Sequence, residues 1–320
     1  MRGFCELVAA SSLLAMLMGS IPTSAAAAGN PTACRHVRMA QPGWTDLTFT
    51  SGIADVLLTS LGYEAKTDLL GIAVAYKSLE DGQLDAFLGY WNPAMVKDYA
   101  PYEKAGTVES IHVNLVGAKY TFAVPAYVYD VGVHDIGDLH KFAAQFDHKM
   151  YGIEPGSNDL MIAIGKDSKF DLADWTVVQS SEQGMLTAVK RAVQHKRFIV
   201  FQGWAPHPMN NEFDMRYLTG GDAYYGPNFG GATVSTQVRK GYVAQCTNVG
   251  RLLTNLTFTV PLENTGMGYL TNDHMTPAAA AIRTIKSDPE LLDSWLSGVT
   301  TIDGKDGLTA VRQKLGLAAE

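Results

Sequence analysis

Leu84-Asp85-Ala86-Phe87-Leu88-Gly89-Tyr90-Trp91-Asn92-Pro93 is an apolar run, interrupted only by Asp85, that ends on a tryptophan two residues before a proline. A short apolar run closed by turn residues reads as a buried strand, of the kind that alternates with helices around a parallel sheet. The same arrangement recurs on both sides of it. Upstream, His36 to Ala40 reads as a first strand and leads into Gly43-Trp44-Thr45-Asp46. Downstream, Phe198-Ile199-Val200-Phe201 leads into Gly203-Trp204-Ala205-Pro206. Each tryptophan stands just after a glycine where the chain leaves the sheet, and α/β folds bind their ligands at that end of the strands.

The stretches between these runs are amphipathic. Ile53, Val56, Leu57 and Leu61 fall on one helical face, and Gly62 is placed to stop that helix. Tyr120 to Val124 opens a second series of strands, continued by Tyr151-Gly152-Ile153 and by the run at 198–201. Two glycine-bearing segments flank this series, Gly117-Ala118-Lys119 before it and Gly226-Pro227-Asn228-Phe229-Gly230-Gly231 after it. Glycine relaxes the φ/ψ limits, which suits a crossing between lobes and equally suits a plain turn. Read as crossings, they predict an α/β clamshell. Its first lobe is built from residues 29–118 and 226–320, and its second from 119–225. Two lobes on two short crossings can close on a ligand.

Composition excludes several classes. The 320 residues are 47% hydrophobic and 18% charged, as expected of a folded chain of one large or two ordinary domains. A net charge of −7 argues against nucleic acid or an anionic membrane surface as partner. Arg2, the apolar stretch Leu7 to Met18 and the small residues Ala25 to Ala28 read as a secretory signal over residues 1–28, which predicts export. Neither this stretch nor any later one is long enough to span a membrane. Removal of the leader takes Cys5 away and leaves Cys34 and Cys246, an even pair that in an exported protein reads as a disulfide. In the chain-entropy model so long a loop contributes roughly 4–5 kcal/mol.

The candidate ligand-facing set is Trp44, Asp46, Trp91, Tyr120 and Trp204, with Ser157 and Asn158 as polar neighbours. A quaternary nitrogen has no N–H, so ring faces must hold it, at about 0.5–1 kcal/mol each when exposed and about 2 when desolvated. Each residue also has a plainer use. Any one of these rings could pack a core, Asp46 could cap the helix after it, and Ser157 and Asn158 follow Pro155-Gly156 as a helix start would.

The chain resembles one family in Gly43-Trp44-Thr45-Asp46, Phe87 to Pro93, Gly117-Ala118-Lys119-Tyr120-Thr121 and Tyr151-Gly152-Ile153-Glu154-Pro155-Gly156. The resemblance continues through Ser180-Ser181-Glu182-Gln183-Gly184-Met185-Leu186, Gly203 to Met209 and Trp295-Leu296-Ser297-Gly298-Val299. These motifs are similar to those of the choline-binding proteins of bacterial ABC importers, within the group that binds glycine betaine, proline betaine and carnitine. The resemblance implies a two-lobed, type II periplasmic binding protein with two crossover segments, working as a monomer with a separate permease and ATPase. It implies an aromatic box of Trp44, Trp91, Tyr120 and Trp204, an acidic partner at Asp46 and paired cysteines at Cys34 and Cys246. It implies neither cofactor nor metal. The choline binders place an asparagine directly after Glu-Pro-Gly, whereas here Ser157 follows Gly156 and Asn158 comes next. Either residue could take the contact to the ligand's polar end.

The residues favour choline among these ligands. A carboxylate-bearing betaine or carnitine wants a nearby cation. The motifs offer only Lys119, which strand alternation turns away from Tyr120. Catalysis has no support, since the chain lacks Gly-x-Ser-x-Gly, His-Glu-x-x-His and a Walker loop. His207 beside Trp204 is the one base on offer, in a Pro-His-Pro setting that suits a turn. A ligand-presenting adaptor for a membrane sensor would use the same fold and site.

Overall fold

The computed structural model describes residues 32–317 together with positions 1 and 3. The apolar core of the expected leader, its cleavage point near Ala28 and the first residues of the mature chain lie outside the described residues.

Among the described residues nine strands form one mixed sheet: β1 (His36–Gln41), β2 (Glu64–Leu69), β3 (Ala86–Asn92), β4 (Val108–Pro125), β5 (Lys149–Tyr151), β6 (Thr176–Val178), β7 (Phe201–Ala205), β8 (Met215–Tyr217) and β9 (Gly231–Arg239). Their order is β2-β1-β3-β9-β4-β7-β5-β6, with β8 also on β4. β1 is parallel to β2 and β3, and β5 is parallel to β6 and β7, as the alternating pattern predicts. The antiparallel strands β9 and β4 lie between these two parallel groups.

β4 departs from the expectation that Tyr120 starts a new series. It is one strand of 18 residues. From Val108 to Lys119 it pairs with β9, and from Lys119 to Ala123 with β7. Gly117, at φ +79, accompanies a register shift between Val116 and Ala118. An extra residue in the ladder bends a strand without ending it. The return segment differs in kind, because Asn228, Phe229 and Gly230 are all left-handed. A Cβ on Gly230 would lie 1.9 Å from the Tyr120 carbonyl oxygen, so only glycine fits there. The β7 ladder begins at Phe201 rather than Phe198, although Val200 still accepts a hydrogen bond from the Tyr151 N–H at 2.9 Å.

Helix α1 (Thr45–Ser60) leaves β1 directly and buries Leu47, Phe49, Ile53 and Leu57. Its C-terminal Leu61 N–H returns to Leu57, and Gly62 turns the chain at φ +91. Helices α2 (Ile72–Glu80) and α3 (Val96–Ala105) follow β2 and β3. Cys34 and Cys246 form a disulfide with Cα atoms 5.5 Å apart, closing a sequence separation of 212. Close by, buried Asp85 accepts from Arg38 Nε and from Arg239 Nε, each at 2.8 Å, tying β1 to β9. Burial raises the Asp85 pKa, but the two guanidinium groups outweigh it and hold the carboxyl below its usual range. Among the described residues no helix is long and apolar enough to cross a membrane.

Candidate functional site

Four aromatic residues reach one cavity from four separate elements. Trp44 is the N-cap residue of α1, Trp91 stands next to the end of β3, and Trp204 next to the end of β7. Tyr120 faces Trp204 directly in the β4–β7 ladder, which puts both side chains on the same side of the sheet. The Trp91 and Tyr120 ring centroids are 6.2 Å apart. The turns after β3 and β7 carry cis bonds at Asn92-Pro93 and Ala205-Pro206.

These rings, with Asp46 and Ser157, line about 530 Å³ of space that is partly open to solvent. Ile72, Met95, Ile153 and Leu160 supply apolar wall, and Asp98 and Asp159 add two more carboxyl groups. Among the described residues no lysine, arginine or histidine lines it. Lys119 lies elsewhere, 5.6 Å over the Phe229 ring.

The polar hydrogens of the wall are mostly committed. Trp44 Nε1 donates to Glu154 Oε1 at 2.6 Å, and Trp91 Nε1 donates to Asp46 Oδ2 at 3.2 Å. Tyr120 donates its hydroxyl to the Ser157 carbonyl at 3.0 Å, and Ser157 Oγ donates to Glu154. Asp46 is 3% exposed, and its Oδ1 has no hydrogen-bond partner among the described residues. Burial, and then the charge on Glu182, push the Asp46 carboxyl up to about 7. Burial and Asp159 push Asp98 up to about 6. Glu263, buried behind the site, is pushed well up by desolvation and by Asp46.

Asn158 is the one expected site residue that does not line the cavity. Its Oδ1 accepts from the Ile153 N–H at 2.8 Å, and its Nδ2 donates to the carbonyls of Ile153 and Glu154 and to Gln179. Nor does it cap the following helix, Asp159–Lys166, with its side chain. The reason is local: Gly152 has no Cβ, and one built there would meet Asn158 Oδ1 at 2.1 Å, so the amide folds back over that glycine. Asp46 also makes no side-chain cap, since α1 begins at Thr45 and Asp46 sits inside its first turn.

Sequence reasoning passed over Glu154, Glu182, Asp98, Asp159 and Glu263. Glu154 and Glu182 lay inside recognised motifs, and only their distant partners give them a role. Thr45 donates its N–H to Glu182 Oε2 at 2.9 Å across 137 residues of chain.

The profile of the family described as the substrate binding domain of ABC-type glycine betaine transport systems, OpuAC, matches residues 35–287. The chain belongs to that family. Its two lobes and mixed α/β sheet are those of the substrate-binding proteins of ABC importers, which are periplasmic or extracellular. An ABC-transporter choline binding protein, solved in complex with choline, is 47% identical at a TM-score of 0.88, covering 90% of this chain and 100% of that one. A choline binding protein in an unliganded semi-closed conformation, also 47% identical, gives a TM-score of 0.82 over 89% of this chain and 100% of its own. Lactococcal OpuAC, closed and complexed with glycine betaine, is 29% identical at a TM-score of 0.73, covering 81% of this chain and 98% of that one. The family thus spans cationic and zwitterionic ligands, and the wall of the cavity has to distinguish them.

Proposed function

We propose that this protein is the periplasmic receptor of an ABC importer and that it captures choline. One observation carries the reading: Trp44, Trp91, Tyr120, Trp204 and Asp46 line a single cavity in which, among the described residues, no basic residue takes part. Four desolvated rings at about 2 kcal/mol each match the roughly 8 kcal/mol of a micromolar complex, before the costs of closure are subtracted.

Choline is favoured over a betaine by the donors that remain. The Trp44, Trp91 and Tyr120 polar hydrogens are already given to protein acceptors, so a ligand carboxylate finds few donors there. It would also meet three carboxyl groups, those of Asp46, Asp98 and Asp159. The Ser157 hydroxyl, its proton donated to Glu154, retains lone pairs that suit a ligand hydroxyl. Of the two polar neighbours expected, Ser157 is the better placed, because the Asn158 amide is occupied.

Residues 29–118 with 226–320 form one lobe, residues 119–225 the other, and the cation is held between them until a permease with its ATPase accepts it. The protein turns nothing over. His207, the one base beside a box ring, is engaged with Glu182 and Met209.

Calorimetric titration of refolded, ligand-free protein with choline, glycine betaine and carnitine in parallel tests this. The expected result is tight choline binding, with betaine and carnitine at least tenfold weaker. Preference for a zwitterion would overturn choline while keeping the box, and binding of none would overturn the quaternary ammonium reading.

A further inference from the structure

The motifs Ser180 to Leu186 and Gly203 to Met209 bring only Trp204 to the cavity, yet each contributes a buried polar side chain with no role so far. These are Glu182 and His207, each 2% exposed. Glu182 opens the helix Glu182–Gln194, which follows β6. Its carboxylate reaches α1, which follows β1 on the far side of the sheet. There it accepts the Thr45 N–H at 2.9 Å and the Thr45 hydroxyl. A helix ordinarily has its first N–H groups capped by the residue before it. Trp44 stands in that position and makes no side-chain cap.

His207 stands behind Glu182. Its Nδ1 accepts the Met209 N–H at 3.0 Å, so Nε2 carries the proton and donates to Glu182 Oε1 at 3.2 Å. Its ring meets Trp204 edge-on, centroids 4.9 Å apart. The chain Trp44-Thr45, Glu182, His207, Trp204 therefore joins two box rings behind the cavity.

We infer that Glu182 is a positioning residue for capture, a latch that caps α1 from the opposite lobe and holds the cage shut once the ligand is inside. The inference rests on the two-lobed choline receptor proposed above. When the lobes part, the Thr45 N–H and the Glu182 carboxylate return to water. When they close, a charge-assisted pair forms at the positive end of α1 in a buried setting. Because Thr45 directly follows Trp44, seating a cation against that ring and capping the helix belong to one movement. Such a latch governs escape of the ligand and leaves its entry alone.

Stopped-flow choline binding, followed by tryptophan fluorescence, tests this on wild type, Glu182→Gln and Thr45→Val. Scattering with and without choline and a thermal melt of each ligand-free protein accompany it. The expected result for Glu182→Gln is a dissociation rate raised about 10- to 100-fold, an association rate within about threefold of wild type, and less compaction by choline. Thr45→Val, which keeps the N–H, should show a smaller rise in the same rate. A folded Glu182→Gln with wild-type dissociation and compaction overturns the latch. If Glu182→Gln does not fold, a wild-type dissociation rate in Thr45→Val overturns it. A wild type that ignores choline overturns the functional reading and the latch with it.

Discussion

Asp46 is surrounded by groups that make its charge costly. It is buried, close enough to Glu182 and Glu263 for their charges to interact, and its carboxyl is pushed to about 7 against 3.8 in the unfolded chain. An acid raised in this way holds a proton in the fold that the unfolded chain has already lost. The stability it contributes is complete below about pH 4 and is lost as pH rises through 7. A cation seated beside it favours the anion instead, so binding expels the proton. Choline affinity should therefore climb with pH, by up to about tenfold per unit below 7, and level off above it. Asp98, raised to about 6, acts in the same direction. Titrations from pH 5 to 8 measure this, and Asp46→Asn should flatten the curve and weaken binding at pH 8. The rings give a second test at this scale. Trp204→Leu preserves an apolar wall but removes one π face, and should weaken choline about 30-fold with little change in fold by circular dichroism.

At the level of elements, the loop between β5 and the helix Asp159–Lys166 folds back on the Asn158 amide. Asn158→Ala would strand the Ile153 N–H and the neighbouring carbonyls, costing about 1–3 kcal/mol, which a lowered melting temperature would report. Asp85→Ala should destabilise by about 3 kcal/mol, at the low end for a broken buried pair because Arg38 is partly exposed. The Asp85 pKa is depressed in the fold, so its contribution is present at neutral pH and lost as pH falls through the folded value. These elements also mark what the sequence could convey. Glycines one or two residues before a tryptophan, where the chain leaves the sheet, are local features, and they led to Trp44, Trp91 and Trp204. Asn158 sat where a capping residue would, but the space left by Gly152 drew its amide elsewhere. Gly117 suited a crossing or a plain turn, and in the fold it marks a register shift inside a strand, β4, that runs on for 18 residues. Glu182 stood inside a recognised motif without a role, because its partner Thr45 lies 137 positions away and only the fold brings them together.

Across the whole molecule, the proposed closure and the covalent tie act on different parts. Choline should compact the protein in solution, with a smaller radius of gyration by scattering. The Cys34–Cys246 bond links two segments on the β1 side of the sheet and should leave that compaction intact. Replacing both cysteines by alanine should instead lower unfolding free energy by about 2–5 kcal/mol in denaturant titration. The long strand has one more consequence. Lys119 on β4 and Gly231 on β9 are direct partners in the ladder, so everything between them leaves and re-enters the chain at neighbouring points of one hairpin. Residues 120–230 are topologically a cassette. Excised and replaced by a tight two-residue turn, they should leave an independently folding half that retains its disulfide and displays two tryptophans, Trp44 and Trp91, on an uncovered face. A protein assembled this way can exchange one wall of its cavity without rethreading the other.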